Sequence, residues 1–139
     1  MYFCMEINFM TTKHNITSHR VSPLGKTWIF DLDGTLVKHN GYKLDGKDTW
    51  LPGAKEFLDK IPDKDKIIII TSRKEEQRGL TEAFLEENGI YVDSIIYNAP
   101  YGERILVNDT KPSGLQTAVA VNTERDVFMD DKFFVDKYL

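Results

Sequence analysis

Between Trp28 and Val37 the chain reads WIFDLDGTLV: three apolar residues run into two aspartates one residue apart, Asp31 and Asp33, and then into Gly34 and Thr35. An apolar run cut off by acids and a glycine is expected to be a buried strand with two carboxylates at its carboxyl end and a backbone that turns away at once. In an open α/β sheet the carboxyl ends of the strands border the crevice where ligands bind, so acids placed there are metal or catalytic candidates first. An Asp-Gly pair between apolar stretches is also a strong hairpin signal, and the DxDG string alone divides evenly between the two readings.

The same arrangement occurs twice more. KIIIITSR, Lys66 to Arg73, runs four isoleucines into Thr71 and Ser72, and RILVND, Arg104 to Asp109, runs three aliphatics into Asn108 and Asp109. Three such strand ends in one small domain point to one shared site. At 139 residues and 41% hydrophobic content the chain is long enough for one domain with a sizeable core, and a formal charge of −4 without a long basic run argues against nucleic acid as the main partner. The single cysteine, Cys4, forms no internal disulfide, and no Cys/His cluster suggests zinc, which makes a reduced, cytoplasmic setting the default. No apolar stretch approaches the roughly 20 residues of a membrane span, and MYFCMEINFM lacks the basic start of a signal peptide. Residues 1–25 are polar and read as a partly flexible extension before a domain over 26–139, with His14 and His19 solvated and the Asn15-Ile16-Thr17 sequon a chance match.

The pattern predicts an ordered series of elements. After the first strand, Lys38 to Thr49 is expected to form a loop or small hairpin over the strand end. A helix then opens at Pro52-Gly53 and runs to about Lys60, with Ala54, Phe57, Leu58 and Ile61 inward and Pro62 as its stop. Ile67–Ile70, apolar at every position, suits a parallel strand covered on both faces. Ser72 and Glu75 fit a capping box for a helix to about Asn88, with Leu80, Ala83, Phe84 and Leu85 buried and Gly89 as its end. Short strands follow at 94–97, 104–107 and 117–121, and the tail from Asp126 to Leu139 is expected to pack as an amphipathic helix.

With these residues in place, the chain resembles the haloacid dehalogenase-like (HAD) superfamily of phosphohydrolases over roughly 27–122. The resemblance rests on WIFDLDGTL as the first motif, IIIITSR as the second and ILVND as the acid-bearing fourth. It implies a Rossmann-like three-layer α/β sandwich with a mainly parallel sheet. About 35 residues separate Thr35 from Thr71, a loop and one helix consume them, and the implied fold therefore has no cap domain. By the same resemblance Asp31 would attack phosphorus and form an aspartyl-phosphate, and Asp33 would protonate the leaving oxygen and then activate water. Mg²⁺ would be the cofactor, held by Asp31, the Asp33 carbonyl and Asp109, because a phosphate dianion repels carboxylates unless a hard cation neutralises them. Thr71 would bond a phosphate oxygen, and the amides of Leu32, Asp33 and Gly34 would cradle the others, with Thr35 nearby.

Two departures from the family pattern stand out. No Lys or Arg occupies the customary place before the last acidic strand; of the two candidates, Lys111 is favoured because it follows Asp109 on the loop at the strand's carboxyl end, whereas Arg104 begins that strand. No further acid follows Asp109 within a turn. Arg73 could contact substrate phosphate or pair with Glu75 or Glu76, Ser72 is a helix cap before it is a ligand, and Lys38, His39, Asn40 and Tyr42 are candidate substrate contacts on the loop. An open site implies a small phosphorylated substrate enclosed by a neighbouring subunit of a homo-oligomer, or a large one. VKHNGYKLDGKDTWLPGAKEFLDKI and PYGERILVNDTKPSGLQTAVAVN resemble small proteins encoded near capsule and surface-polysaccharide genes, which implies a sugar phosphate. The competing expectations are a catalytically silent domain that binds a phosphorylated ligand or a protein, and a phosphotransferase.

Overall fold

The computed structural model describes residues 16–139, so the readings on Cys4, His14 and Asn15 lie outside the described residues. Three strands form the main sheet: β2 (Thr27–Phe30), β3 (Lys66–Ile70) and β4 (Ser94–Ile96), in the order β2-β3-β4 and parallel throughout. The register pairs Thr27 with Lys66 and Ile68 with Ser94. Asp65 sets its start: the buried carboxylate accepts the Lys26 amide at 3.0 Å and the Trp28 indole N–H at 2.9 Å, while Lys66 N–H donates to the Lys26 carbonyl at 2.8 Å.

Parallel neighbours need crossovers, and helices supply them. Between β2 and β3 lie α1 (Gly41–Leu44) and α2 (Ala54–Asp59); between β3 and β4 a 3₁₀ turn (Glu75–Gln77) leads into α3 (Arg78–Glu87). The anticipated stop at Gly89 is present in full: Gly89 takes φ +67, its N–H bonds the Glu86 carbonyl, and Ile90 N–H bonds that of Leu85, while both apolar partners are buried. The helix start differs from expectation. Ser72 is not the cap; Lys74 N–H donates to the Gln77 side chain at 2.8 Å, and the helix begins six residues later than Ser72. Its buried positions are Thr81 and Leu85, with Leu80 exposed.

Ile69, fully buried on the middle strand, sits among Phe30, Leu32, Leu36, Val37, Leu51, Ala54, Leu58, Leu85 and Ile90. This core lies under the loop that leaves β2, which fixes the site described below. The fold is thus mixed α/β with parallel pairing, compatible with a Rossmann-like arrangement. No helix among the described residues is long and apolar enough to cross a membrane.

Three expectations are corrected. Residues 18–21, assigned to the extension, form β1 (Ser18–Val21), which pairs in parallel with β5 (Lys132–Val135) where a helix was anticipated. Alternation decides it: the Phe133 ring faces Trp28, edge to face at 5.0 Å, and Phe57 at 6.4 Å, while Phe134 on the next position is exposed. The segments 104–107 and 117–121 are irregular rather than strands, with Ile105 84% and Val107 88% exposed. A β-prone run remains a strand only if another strand takes up its backbone groups, and none does so here.

Candidate functional site

Leaving β2, the backbone turns around one carbonyl. Leu32 C=O accepts from the amides of Thr35, Leu36 and Val37 at 3.2, 2.9 and 3.2 Å, and Gly34, at φ +81, donates its N–H to Val37 C=O at 2.7 Å. Leu32, Leu36 and Val37 are sunk in the core, so the alternate positions Asp31 and Asp33 stand at the surface of the carboxyl end of the sheet. The Gly34 amide, expected to cradle phosphate, is therefore committed to the turn.

Asp31 and Asp33 are held differently. The Asp31 side chain is 40% exposed; Thr35 Oγ1 donates to its Oδ2 at 3.0 Å, and Arg104 Nη2 comes within 3.5 Å of its Oδ1. Burial raises its pKa above the ordinary value of 3.8, opposed in smaller measure by the Thr35 hydrogen bond and the Arg104 charge. Thr35, placed among the substrate contacts by sequence, thus orients Asp31. Asp33 is 18% exposed and takes a two-pronged bond from Arg73, Nε to Oδ2 and Nη2 to Oδ1, both at 2.9 Å.

Arg73 is the most completely engaged side chain of the site. Its Nη2 also donates to Asp48 Oδ1 at 2.7 Å, and its Nη1 donates to Asp48 Oδ2 at 3.0 Å and Thr81 Oγ1 at 2.9 Å. The Tyr42 ring covers the guanidinium at 4.3 Å. Burial works to lower the Arg73 pKa, but the hydrogen bonds and charges of Asp33 and Asp48 exceed that effect and raise it. Arg73 pairs with neither Glu75 nor Glu76; Glu75 is taken by Arg78 at 2.7 Å.

The remaining expected site residues divide. Thr71 does sit at the carboxyl end of β3, but it is 1% exposed and its hydroxyl accepts the Arg73 amide at 3.1 Å, so it braces the loop instead of facing a phosphate. Ser72 is half-buried on the loop between Thr71 and Arg73. Among the described residues the cation that reaches Asp31 is Arg104; no ion pair brings Lys111 to either aspartate, and its amide bonds the Leu115 carbonyl in an exposed turn. No three acidic, His or Cys side chains gather in a metal-sized group among the described residues, so Asp31, Asp33 and Asp109 do not form one. Asp109 stands on the irregular exposed segment, beside Thr117.

Four residues outside the expected set shape the site. Asp48 and Thr81 complete the Arg73 network. Asp126, at φ +65, donates its amide to Gly34 C=O at 2.8 Å and accepts the His39 amide on Oδ1 at 2.7 Å, tying 124–128 to the aspartate loop. The aliphatic stem of Arg125 lies over Gly34, 3.1 Å from where a Cβ there would project. The one signal available for Thr81 was a β-branched polar residue at a core-facing helical position.

No protein-family model and no curated protein matches the chain. Among solved structures it is similar to a chain in the structure of a Pnkp1/Rnl/Hen1 complex, at 26% identity and a TM-score of 0.47. The similarity covers 61% of this chain and 32% of that one, so the chain spans about a third of its length.

Proposed function

We propose that the chain is a Mg²⁺-dependent phosphomonoester hydrolase of the HAD type that works through an aspartyl-phosphate on Asp31, with a capless, Rossmann-like three-layer architecture in the cytoplasm. The observation that carries this reading is the pairing of a half-exposed, Thr35-oriented Asp31 carboxylate with Arg104 on one side and an immobilised Asp33 on the other.

Of the expected ligands, Asp31 and the Asp33 carbonyl would hold the ion without Asp109. Asp31 Oδ1 has only the long approach of Arg104, and the main-chain carbonyl of Asp33 accepts no hydrogen bond among the described residues. These are two hard oxygens of the kind Mg²⁺ prefers, and they are the protein groups that would hold it. When bound, the ion would neutralise the phosphate dianion and polarise its oxygens. Arg104 would draw the phosphate to Asp31, and Thr35 would keep one Asp31 oxygen from rotating away. The free oxygen of Asp31 would form the new O–P bond as the ester oxygen departs with its electron pair. Asp33 would supply a proton to that oxygen and take one from the water that cleaves the acyl phosphate, restoring Asp31 and releasing inorganic phosphate. An open site suits a small sugar phosphate enclosed by a second subunit, or a substrate large enough to cover the site.

The test is turnover of p-nitrophenyl phosphate and of a panel of sugar, nucleotide and lipid-head-group phosphates by the native chain and Asp31→Asn, with Mg²⁺ and with EDTA. The expected result is Mg²⁺-dependent release that falls at least about a thousandfold in the variant. A second reading, a silent domain that binds a phosphorylated ligand through Arg104, is favoured by the failure of Asp109 to join Asp31 and Asp33. Saturable phosphate binding without turnover on any ester would replace the first reading by the second.

A further inference from the structure

Arg73 carries five N–H donors, and every one has an acceptor within the protein: two on Asp33, two on Asp48 and one on Thr81. Its side chain is 1% exposed and Tyr42 closes one face of the guanidinium. No donor remains for a substrate oxygen, and freeing one would leave a buried carboxylate with an unmatched lone pair and charge. Its two acid partners are not equivalent. Asp33 stands at the mouth of the site, whereas Asp48 is as deeply buried as the arginine itself. The fork therefore faces outward to one carboxylate and is anchored inward by the other.

We propose that Asp48 and Arg73 are positioning residues for Asp33: Asp48 fixes the plane of the guanidinium, and the guanidinium fixes the rotamer of the Asp33 carboxylate. The inference rests on the phosphohydrolase reading, in which Asp33 moves the proton. Four segments meet at this bracket, since Asp33 leaves β2, Arg73 follows β3, Asp48 precedes α2 and Thr81 lies on α3. Each Asp33 oxygen accepts one Arg73 N–H and keeps a lone pair directed elsewhere, which is the pair that exchanges a proton with the ester or water oxygen. Asp48→Asn sets an amide N–H₂ against an Nη–H₂ and breaks one prong of the inner fork. Arg73→Lys offers a point charge in place of a planar fork and does not restore the geometry.

The consequence separates substrates by leaving group. An alkyl or sugar phosphate needs a proton delivered to the departing oxygen, and p-nitrophenyl phosphate does not. The experiment measures kcat and KM for native chain, Asp48→Asn, Arg73→Lys and Thr81→Val on a sugar phosphate and on p-nitrophenyl phosphate, with folded fraction determined by circular dichroism. For Asp48→Asn, kcat is expected to fall about a hundredfold on the sugar phosphate, the cost of an ångström-scale misplacement. The fall on p-nitrophenyl phosphate is expected to stay below about tenfold, with KM unchanged on both. Thr81→Val, which removes one acceptor and little volume, shows the same ordering at smaller size and carries the test if Asp48→Asn does not fold. Equal losses on both substrates would mean a merely structural role, and a rise in KM with kcat retained would make Arg73 a phosphate ligand; either overturns the proposal. Absence of turnover by the native chain on every ester overturns the phosphohydrolase reading and this inference with it, and is recognised before any variant is compared.

Discussion

Phe133→Ala isolates how the two-stranded ribbon of β1 and β5 is held to the rest of the fold. Strands of four residues paired only with each other are marginal in water, so the ribbon's order derives from docking. Phe133 docks it: the ring stacks on His19 within the ribbon at 4.8 Å and meets Trp28 and Phe57 outside it edge-on at 5.0 and 6.4 Å. Truncating a fully buried Phe costs about 3–5 kcal/mol. Phe133 is half-buried, which brings the cost to about half of that. That figure already contains the lost edge-to-face contacts, so the total is about 1.5–2.5 kcal/mol. If this loss falls on ribbon opening alone, amide exchange in 18–21 and 132–135 speeds up by about 10- to 60-fold, since 1.4 kcal/mol is a factor of ten. The Ile68–Ile70 amides, interior to the main sheet, keep a larger share of their native protection. Native-state hydrogen exchange resolved by residue is the assay. Equal acceleration in β1 and β3 would show that ribbon and sheet open as one unit, and unchanged exchange in β1 would show that the ring does not hold it; each refutes the reasoning.

Asp31→Asn changes stability with a defined sign. Because burial raises the folded-state pKa of Asp31, the native chain loses stability as pH rises from about 3.8 through the folded value; the Asn variant is spared this, so its urea midpoint exceeds the native one at pH 7 and the two converge at pH 3. Gly34→Ala is expected to cost about 1–3 kcal/mol in urea unfolding, because φ +81 is strained for alanine and its Cβ would meet the Arg125 stem at 3.1 Å. Arg104→Ala is expected to raise KM for p-nitrophenyl phosphate about tenfold, the scale of one charge-assisted hydrogen bond, with an unchanged melting temperature, while Lys111→Ala leaves steady-state kinetics as they are. The reverse ranking of the two cations would remove Arg104 from the site.

What was legible in the sequence follows the range of the interactions that decide it. The runs TWIF and IIII specify strands locally, and Gly89 closes α3 by local geometry, so both were readable. Thr27–Phe30, Lys66–Ile70 and Ser94–Ile96 and the α2 span accordingly fall where periodicity and Pro/Gly punctuation put them. The ribbon was not readable, because His19 and Phe133 become strand residues only through each other across most of the chain. Arg104 to Val107 erred in the opposite direction: high β-propensity without a partner remains irregular. In the candidate site the motif announced Asp31 and Asp33 but not their surroundings. Asp48 in KDTW and Thr81 in GLTEA look like an exposed loop acid and an ordinary helix residue until Arg73 is placed between them. Asp126 carries no sequence signal either, since its hold on Gly34 and His39 depends on a left-handed backbone that any number of residues could flank.

The pairing of Ser18 with Lys132 also bears on the order in which the chain acquires its structure. Thr27 and Lys66 close a loop of about 40 residues, whereas β1 and β5 close one of more than 110, about 1 kcal/mol more costly in chain entropy by the logarithmic rule if nothing has yet formed. Once β2, β3 and the helices between them have condensed, Trp28 and Phe57 are already side by side, and the distance left for β5 to bridge is short. The ribbon is then a late addition, zipped onto a finished surface, and on a ribosome it must wait until Phe133 has left the exit tunnel. Until that moment the aromatic face of Trp28 and Phe57 stays open to water, which makes it the surface that a nascent chain of this sequence most needs shielded.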